Sequence, residues 1–150
     1  MQTIKNLFPK IYDFENLLEA YKAAIKSKRY RPDVMEYADK LEENLFDLQN
    51  NLIWGLYEVG HYHMFYVYEP KKRLIMSLQF KDRVAQHAIY RQLNPLIEKQ
   101  YIKDSYACRV GYGTHAAIDR LQGWMRQTER KPEKYYYLKL DVSKYFYSFI

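Results

Sequence analysis

The spacing of the apolar residues changes from a helical to a strand period near Gly60, and this change limits the folds open to the chain. Before Gly60, apolar residues recur every three or four positions. This spacing predicts one long amphipathic helix that Pro32 opens and Gly60 closes. The stripe consists of Ala38, Leu41, Leu45, Leu48, Leu52, Leu56 and Val59. It is more typical of core packing than of a partner-binding zipper. A shorter helix over residues 17–24, followed by a basic run, is expected before it.

After Gly60, aromatic and β-branched residues lie on both sides of the sequence EPKK at 69–72. This pattern predicts a β-hairpin in which residues 62–68 pair with residues 73–79. Three consecutive cations, Lys71, Lys72 and Arg73, then lie at its tip. The hairpin tip is therefore a candidate site for an anion.

The rest of the sequence alternates between helical and extended patterns, which predicts an α+β fold. A helix is expected after the hairpin, with Asp82 placed to cap it and Pro95 bending its last turns. A loop with Gly111 and Gly113 follows, and Thr114 is expected to cap a helix that runs to about residue 127. The sequence YYYLKL from residue 135 predicts a final strand.

Charge is distributed unevenly along the chain. The net charge is +6, and residues 71–130 hold 12 Lys and Arg against 5 Asp and Glu, a local excess of +7. Such a segment is suited to a polyanion, because each neutralised phosphate releases condensed counterions. A solvated basic face is the other interpretation of the same charges.

Cysteine content and hydropathy bear on the compartment. The single cysteine, Cys108, excludes an internal disulfide and fits a reducing cytoplasm. The first residues show no signal-peptide pattern, and no window approaches the ~20 apolar residues of a membrane span. The sequence therefore predicts a cytoplasmic protein that does not bind a membrane.

Asp141 is expected at the end of the last predicted strand, where a carboxylate can bind a metal ion. An ordinary aspartate that ends a strand would give the same local sequence. A zinc site is a weaker alternative: His61 and His63 share one face of a strand, but Cys108 and His115 belong to other elements. The sequence GYGTH at 111–115 could present backbone N–H groups to phosphate, or could serve loop geometry alone.

Two segments, RLIMSLQFKDRVAQHAIYRQLNPLIEKQYIKDSYACRVGYGTHAAIDRL and YYYLKLDVSKYFYSFI, resemble the early sequence blocks of bacterial reverse transcriptases. The resemblance extends over about residues 60–150 and is closest to the enzymes of diversity-generating retroelements, then to those of group II introns and retrons. It implies a helical N-terminal extension (1–60), a fingers subdomain with a two-stranded antiparallel ribbon and helices (61–134), and the first strand of a truncated palm (135–150).

The resemblance also implies functional residues. In the block LKLDVSKYF, Asp141 matches the first catalytic aspartate, which binds Mg²⁺ together with the backbone carbonyl of Val142. Phe146 matches the bulky gate that excludes a ribose 2′-hydroxyl by steric contact.

The hairpin and the blocks after it match further positions of the family. Arg73, with Lys71 or Lys72, matches the basic fingers residues that hold the incoming deoxynucleoside triphosphate. Arg83 and Arg109 lie in blocks that approach the template in relatives. Arg83 could equally form a helix-start ion pair with Asp82.

One part of the family pattern has no counterpart in the sequence. The aromatic-x-Asp-Asp turn that completes the metal site is absent, as are the thumb and primer-grip regions. We therefore expect the 150 residues to be inactive alone as an RNA-directed DNA polymerase. The implied partners are template RNA, a DNA primer, deoxynucleoside triphosphates and a small basic accessory protein. The alternatives are a non-catalytic nucleic-acid-binding module and a defence protein on a reverse-transcriptase scaffold.

Overall fold

The computed structural model describes residues 5–143 and 145. Its described part is α+β, with six helices and one two-stranded antiparallel sheet. The helices are α1 (Leu7–Tyr12), α2 (Phe14–Ala24), α3 (Pro32–Asp39), α4 (Leu41–Ile53), α5 (Phe80–Glu98) and α6 (Thr114–Glu129); the strands are β1 (His63–Val67) and β2 (Arg73–Ser77). The chain divides into two compact units, residues 1–100 and 101–150. None of the described helices is long and apolar enough to cross a membrane.

The core of the first unit forms where α2 packs against α5. Leu17 and Ala20 on α2, and Val84 and Ala88 on α5, are fully buried. Each pair is spaced three or four residues apart, so each helix buries one face. Burial of a Leu or Val side chain contributes about 1.5–3 kcal/mol, so this seam stabilises the unit more than its surface ion pairs do.

A buried asparagine joins three helices within this core. The Asn16 side-chain amide donates to the backbone carbonyls of Ile11 (2.9 Å) and Ala88 (3.2 Å). Its carbonyl oxygen accepts from Arg91 Nε (3.2 Å) and Gln92 Nε2 (2.8 Å). Both polar atoms of the amide are therefore satisfied, and α2 is tied to α1 and to α5.

The expectation of one long helix from Pro32 to Gly60 is wrong. The helix is interrupted at Lys40, which has φ −123° and ψ 43°. Asn44 Nδ2 donates to the carbonyl of Tyr37 (3.0 Å), and the Tyr37 hydroxyl donates to the carbonyl of Asn44 (3.4 Å). These bonds satisfy backbone carbonyls at the break, so the chain can turn there without leaving the Tyr37 carbonyl unpaired.

The second half of the expected helix ends early, at Ile53. Gly55 has φ +69°, a left-handed conformation that favours glycine. The N–H groups of Gly55 and Leu56 donate to the carbonyls of Leu52 (3.3 Å) and Asn51 (2.8 Å), which is the Schellman arrangement of a helix end. Leu56 and Val59, expected on the buried stripe, are consequently exposed.

The predicted hairpin is confirmed, with shorter strands than expected. β1 pairs with β2 in the register His63 to Ser77 and Val67 to Arg73, so residues 68–72 form the turn. Residues 62, 68, 78 and 79 lie outside the strands. Pairing 62–68 with 73–79 would place residue 68 opposite Arg73, but Val67 lies there, so the register differs from the expected one by one residue.

The two expected side-chain caps are not formed, although both helices are. Gln79 precedes α5 and Gly113 precedes α6, and neither cap position has a side-chain hydrogen bond. Asp82 is the third residue of α5 and is buried, while Thr114 is the first residue of α6. α5 continues beyond Pro95 to Glu98.

The strand expected from residue 135 is absent. Residues 135–142 have no regular secondary structure and are exposed throughout. A strand requires a neighbour that accepts and donates its backbone hydrogen bonds, and β1 and β2 pair only with each other in the described part of the chain. High β-propensity alone did not produce a strand here.

Candidate nucleic-acid interface

The end of the hairpin is cationic and open to solvent. Lys71 and Lys72 lie in the turn, Arg73 is the first residue of β2, and all three are exposed. Lys72 Nζ lies 4.4 Å from the ring centroid of Tyr66 and 5.8 Å from that of Tyr68. These cation–π contacts hold one ammonium group above the ribbon. Within the described residues, no hydrogen bond or ion pair engages the Arg73 guanidinium. The three predicted triphosphate ligands thus lie at one exposed end of the ribbon, with Lys72 over the face that carries Tyr66 and Arg73 in register with Val67 on the other face.

The two faces of the ribbon have different surroundings. Residues directly opposite in the register project to the same side. One side carries His63, Phe65, Ile75 and Ser77, which line a cleft toward the helices. The other side carries Met64, Tyr66, Leu74 and Met76, all of them exposed. Exposed aromatic rings beside cations are typical of surfaces on which nucleobases stack.

The cleft beneath the hairpin has a volume of about 1280 Å³ and a mixed charge. Its cations outnumber its carboxylates by five to three: Lys28, Arg31, Lys40, Lys81 and Arg83 against Asp33, Glu36 and Asp39. Its apolar lining includes Tyr37, Phe65 and Phe80. Burial raises the pKa of Tyr37 to about 12, so its hydroxyl stays protonated at neutral pH. The walls of the cleft therefore combine aromatic rings with cations, as the hairpin does.

Arg83 lies at the base of the hairpin and bonds to it. Its Nε donates to the carbonyl of Leu78 (3.3 Å), and its Nη2 donates to the hydroxyl of Ser77. Asp82 bonds instead to Tyr57 and Gly60, and among the described residues it forms no ion pair with Arg83. The guanidinium joins the end of β2 to the first turn of α5.

Asp82 anchors the segment that leads into the hairpin. Its Oδ1 accepts from the Tyr57 hydroxyl (2.7 Å) and its Oδ2 from the Gly60 N–H (3.2 Å). Burial, and then the hydrogen bond to this carboxylate, raise the pKa of Tyr57 above its usual range. Asp82 was expected to cap its own helix, because a local sequence pattern does not show a partner 22 or 25 residues away.

In the second unit, Arg109 organises the loop that precedes α6. Its Nη1 donates to the carbonyls of Ile102 (3.1 Å) and Ser105 (2.9 Å). Its guanidinium lies 3.9 Å from the ring centroid of Tyr112 and 5.2 Å from that of Tyr101. These contacts give the predicted template residue a defined position within its own loop.

A second arginine joins this loop to α6. Asp104 accepts from Arg120 Nε (2.9 Å) and from the Tyr106 hydroxyl (3.0 Å). The hydrogen bond from Arg120 is the main reason that the pKa of Asp104 is lowered. The Arg120 guanidinium also lies 4.9 Å from the ring centroid of Trp124. The loop is therefore linked to α6 through the Asp104–Arg120 ion pair.

The predicted metal ligands lie in the exposed segment that has no regular structure. Asp141 and Val142 are both exposed, and Phe146 lies outside the described residues. Over residues 5–143 and 145, no three His, Cys, Asp or Glu side chains form a group that could hold a metal ion. The described residues therefore do not fit a Mg²⁺ site, and they do not form a zinc site around His61 and His63.

No protein-family model matches the sequence, and no curated protein matches it.

Proposed function

We propose that the chain forms the fingers region of an RNA-directed DNA polymerase, and that its hairpin tip holds the triphosphate of an incoming deoxynucleotide. The observation that carries this proposal is the exposed cluster of Lys71, Lys72 and Arg73 at the end of the antiparallel ribbon. The sequence blocks that resemble bacterial reverse transcriptases supply the choice of ligand.

The three cations have different roles in the proposal. Arg73 is the first residue of β2 and lies opposite Val67. Its planar guanidinium can donate two parallel hydrogen bonds to one phosphate. Lys71 and Lys72 act as point charges on a turn. Because Lys72 already lies over Tyr66, less side-chain entropy is lost when it meets an anion.

The remaining parts of the proposal come from the resemblance. Asp141, the Val142 carbonyl and Phe146 belong to the opening of the palm, Arg83 and Arg109 approach template RNA, and a DNA primer and a small basic accessory protein are further partners. The family's Mg²⁺ would supply electrostatic stabilisation at the reacting phosphate. Since the described residues do not form its site, no step in this chain is assigned to it.

A non-catalytic nucleic-acid-binding module is the second candidate. One observation favours it: within the described residues Asp141 is not grouped with other potential metal ligands. Such a module would use the same cations and exposed tyrosines to bind a single strand, without selecting a triphosphate.

The first test measures binding of a fluorescent deoxynucleoside triphosphate and of its monophosphate by anisotropy. The proposal expects the triphosphate to bind more tightly. Arg73→Ala loses a charge-assisted contact and should bind the triphosphate about 10- to 150-fold more weakly. The affinity of Arg73→Lys should lie between those of Arg73→Ala and the original chain. Arg126→Ala removes an exposed arginine from α6 and serves as the matched control.

A parallel titration with single-stranded RNA separates the two candidates. Salt-sensitive RNA binding without any preference for the triphosphate would support the module and contradict the polymerase assignment of the hairpin. If Arg73→Ala and Arg126→Ala weaken triphosphate binding equally, the effect is one of total charge and the tip is not a specific site.

A further inference from the structure

The cleft beneath the hairpin holds charged side chains that do not pair with one another. Two of its charged residues are engaged elsewhere, since Lys40 pairs with Glu43 and Arg83 bonds to the hairpin. The side chains of the other six form no hydrogen bond or ion pair in the described part of the chain: Lys28, Arg31, Asp33, Glu36, Asp39 and Lys81. Such a cleft can bind a ligand that carries both an anion and hydrogen-bond donors.

These charges follow an order along α3. Lys28 lies in the turn before the helix, Arg31 directly precedes the helix, and Glu36 is its fifth residue. At the rise of an α-helix, Arg31 and Glu36 are separated by about 7–8 Å along the axis. An anion is therefore attracted to the start of this wall, and a carboxylate lies more than one turn further along it.

A second wall of the cleft is the inner face of the ribbon, which carries aromatic rings. The ring centroids of His63 and Phe65 lie 5.8 Å apart, and Phe65 is 43% exposed. Two further lining residues, Tyr37 and Phe80, are buried with their ring centroids 5.1 Å apart. An exposed ring beside cations is a platform on which a flat base stacks. The cleft volume of about 1280 Å³ exceeds the ~300–1,000 Å³ of most small-molecule pockets, so a nucleotide fits there together with water.

The carboxylate distinguishes the bases by the donors they offer. A carboxylate only accepts hydrogen bonds, and it does so through two oxygens. Guanine has two adjacent N–H donors on its Watson–Crick edge, at N1 and N2, whereas adenine has one amino group beside an acceptor nitrogen. Guanine is therefore the base that can satisfy both oxygens of Glu36.

We propose that the cleft binds a guanine nucleotide. The base stacks on Phe65 and donates its two N–H groups to Glu36. The phosphate accepts from Lys28 and Arg31, and the sugar hydroxyls lie near Asp33, which is between these two groups in the sequence. No residue of the hairpin tip takes part, so the proposal is independent of the function assigned to the tip.

Isothermal titration calorimetry with three nucleoside monophosphates tests the choice of base on the full 150-residue chain. Guanosine monophosphate should bind most tightly. Inosine monophosphate lacks only the N2 amino group and should bind about tenfold more weakly, as the loss of one hydrogen bond to a charged group implies. Adenosine monophosphate lacks the paired donors and should bind at least about tenfold more weakly.

Two substitutions separate recognition of the base from recognition of the phosphate. Glu36→Gln keeps the side-chain volume but replaces one acceptor oxygen by an amide, so it should remove most of the preference for the guanine nucleotide. Arg31→Ala should weaken the guanine and adenine nucleotides equally, by about 10- to 150-fold, and leave the preference intact.

Two arginine variants serve as matched controls. Arg29→Ala removes an exposed arginine from the same turn, outside the lining of the cleft, and Arg73→Ala removes one from the hairpin. Both should leave the binding of guanosine monophosphate unchanged. Far-ultraviolet circular dichroism checks that every variant keeps its helices; all the substituted residues are exposed.

A free guanine nucleotide and a guanosine within a single strand offer the same chemistry, and Glu36→Gln distinguishes these two sources. If this variant also weakens the binding of a uridine heptamer with one central guanosine, the cleft takes guanine within a strand. If only the binding of guanosine monophosphate responds, the cleft takes the free nucleotide.

Three results would overturn the proposal. The first is the absence of saturable binding of guanosine monophosphate at millimolar concentrations. The second is equal affinity for the guanine and adenine nucleotides, or a preference that Glu36→Gln leaves intact. The third is a loss of affinity in Arg29→Ala or Arg73→Ala as large as that in Arg31→Ala, which would mean that total charge and not the cleft holds the phosphate.

Discussion

At the scale of single residues, Asp82 is one of the two buried polar residues, with Asn16, in the described part of the first unit. It is 1% exposed, and its two oxygens accept from the Tyr57 hydroxyl and the Gly60 N–H. Asp82→Ala leaves both donors without this acceptor, so it should lower the free energy of unfolding by about 2–4 kcal/mol. Tyr57→Phe removes one of the two donors and leaves the buried Asp82 Oδ1 without a partner, so it should cost about 1–3 kcal/mol.

Urea denaturation followed by circular dichroism measures both effects. Asp82→Asn is the matched control, because it keeps the side-chain volume and one carbonyl oxygen as an acceptor. Its free energy of unfolding should lie between those of Asp82→Ala and the original protein. A loss below about 1 kcal/mol for Asp82→Ala would mean that water replaces the carboxylate at this site.

At the scale of elements, the hairpin is attached to the helical body through Arg83. This residue bonds to Leu78 and Ser77 at the end of β2, so Arg83→Ala should loosen the ribbon without altering the core between α2 and α5. Hydrogen exchange should then be faster for amides of β1 and β2 and unchanged for those of α2. Ser77→Ala removes only one of the two bonds and should have a smaller effect.

The same variant distinguishes a structural role from template binding. If Arg83→Ala weakens binding of single-stranded RNA while exchange in β1 and β2 stays unchanged, Arg83 contacts the nucleic acid and the attachment is unimportant. Faster exchange with unchanged RNA affinity would contradict its assignment to the template.

The elements that sequence analysis predicted are those with a local signal. The apolar spacing on α2 and α5 and the turn sequence of the hairpin are such signals, and all three elements are formed. The break at Lys40 was missed because it depends on hydrogen bonds between Tyr37 and Asn44, which helical spacing does not show. The polar network of Asn16 was missed because its carbonyl acceptor at Ala88 lies 72 residues away.

The residues of the candidate site, too, could be predicted only where the sequence carries a local signal. The cationic tip follows from the turn that EPKK makes, so Lys71, Lys72 and Arg73 could be found without coordinates. The strand before Asp141 could not be predicted reliably, since a strand depends on a partner as well as on its own propensity. The assignments of function to Arg73, Arg83, Arg109 and Asp141 remain predictions.

At the scale of the whole molecule, burial is confined to one unit. Every buried residue in the described part of the chain precedes residue 101, and α6 has none. Since buried apolar area is the main source of stability, amides of α2 and α5 should exchange only through global unfolding. Amides of α6 should exchange by local opening, at rates that respond little to low concentrations of denaturant.

Native-state hydrogen exchange across a denaturant series measures this difference. The two hydrogen-bonded helices α5 and α6 have similar lengths, 19 and 16 residues, so helix length does not explain an effect of this size. Equal protection of α6 and α5 would contradict the prediction and would indicate that the second unit gains its stability from contacts outside its own residues.

The seam between α2 and α5 also sets an order of events on the ribosome. α2 is complete at Ala24, but the helix that covers its apolar face is complete only at Glu98. At a synthesis rate of about 5–20 residues per second, Leu17 and Ala20 stay uncovered by α5 for roughly 4–15 s. During this interval the nascent chain exposes a hydrophobic helix face while the hairpin is still being made. The newly synthesised protein should therefore be a substrate for chaperones that bind short apolar segments, until α5 emerges and closes the core.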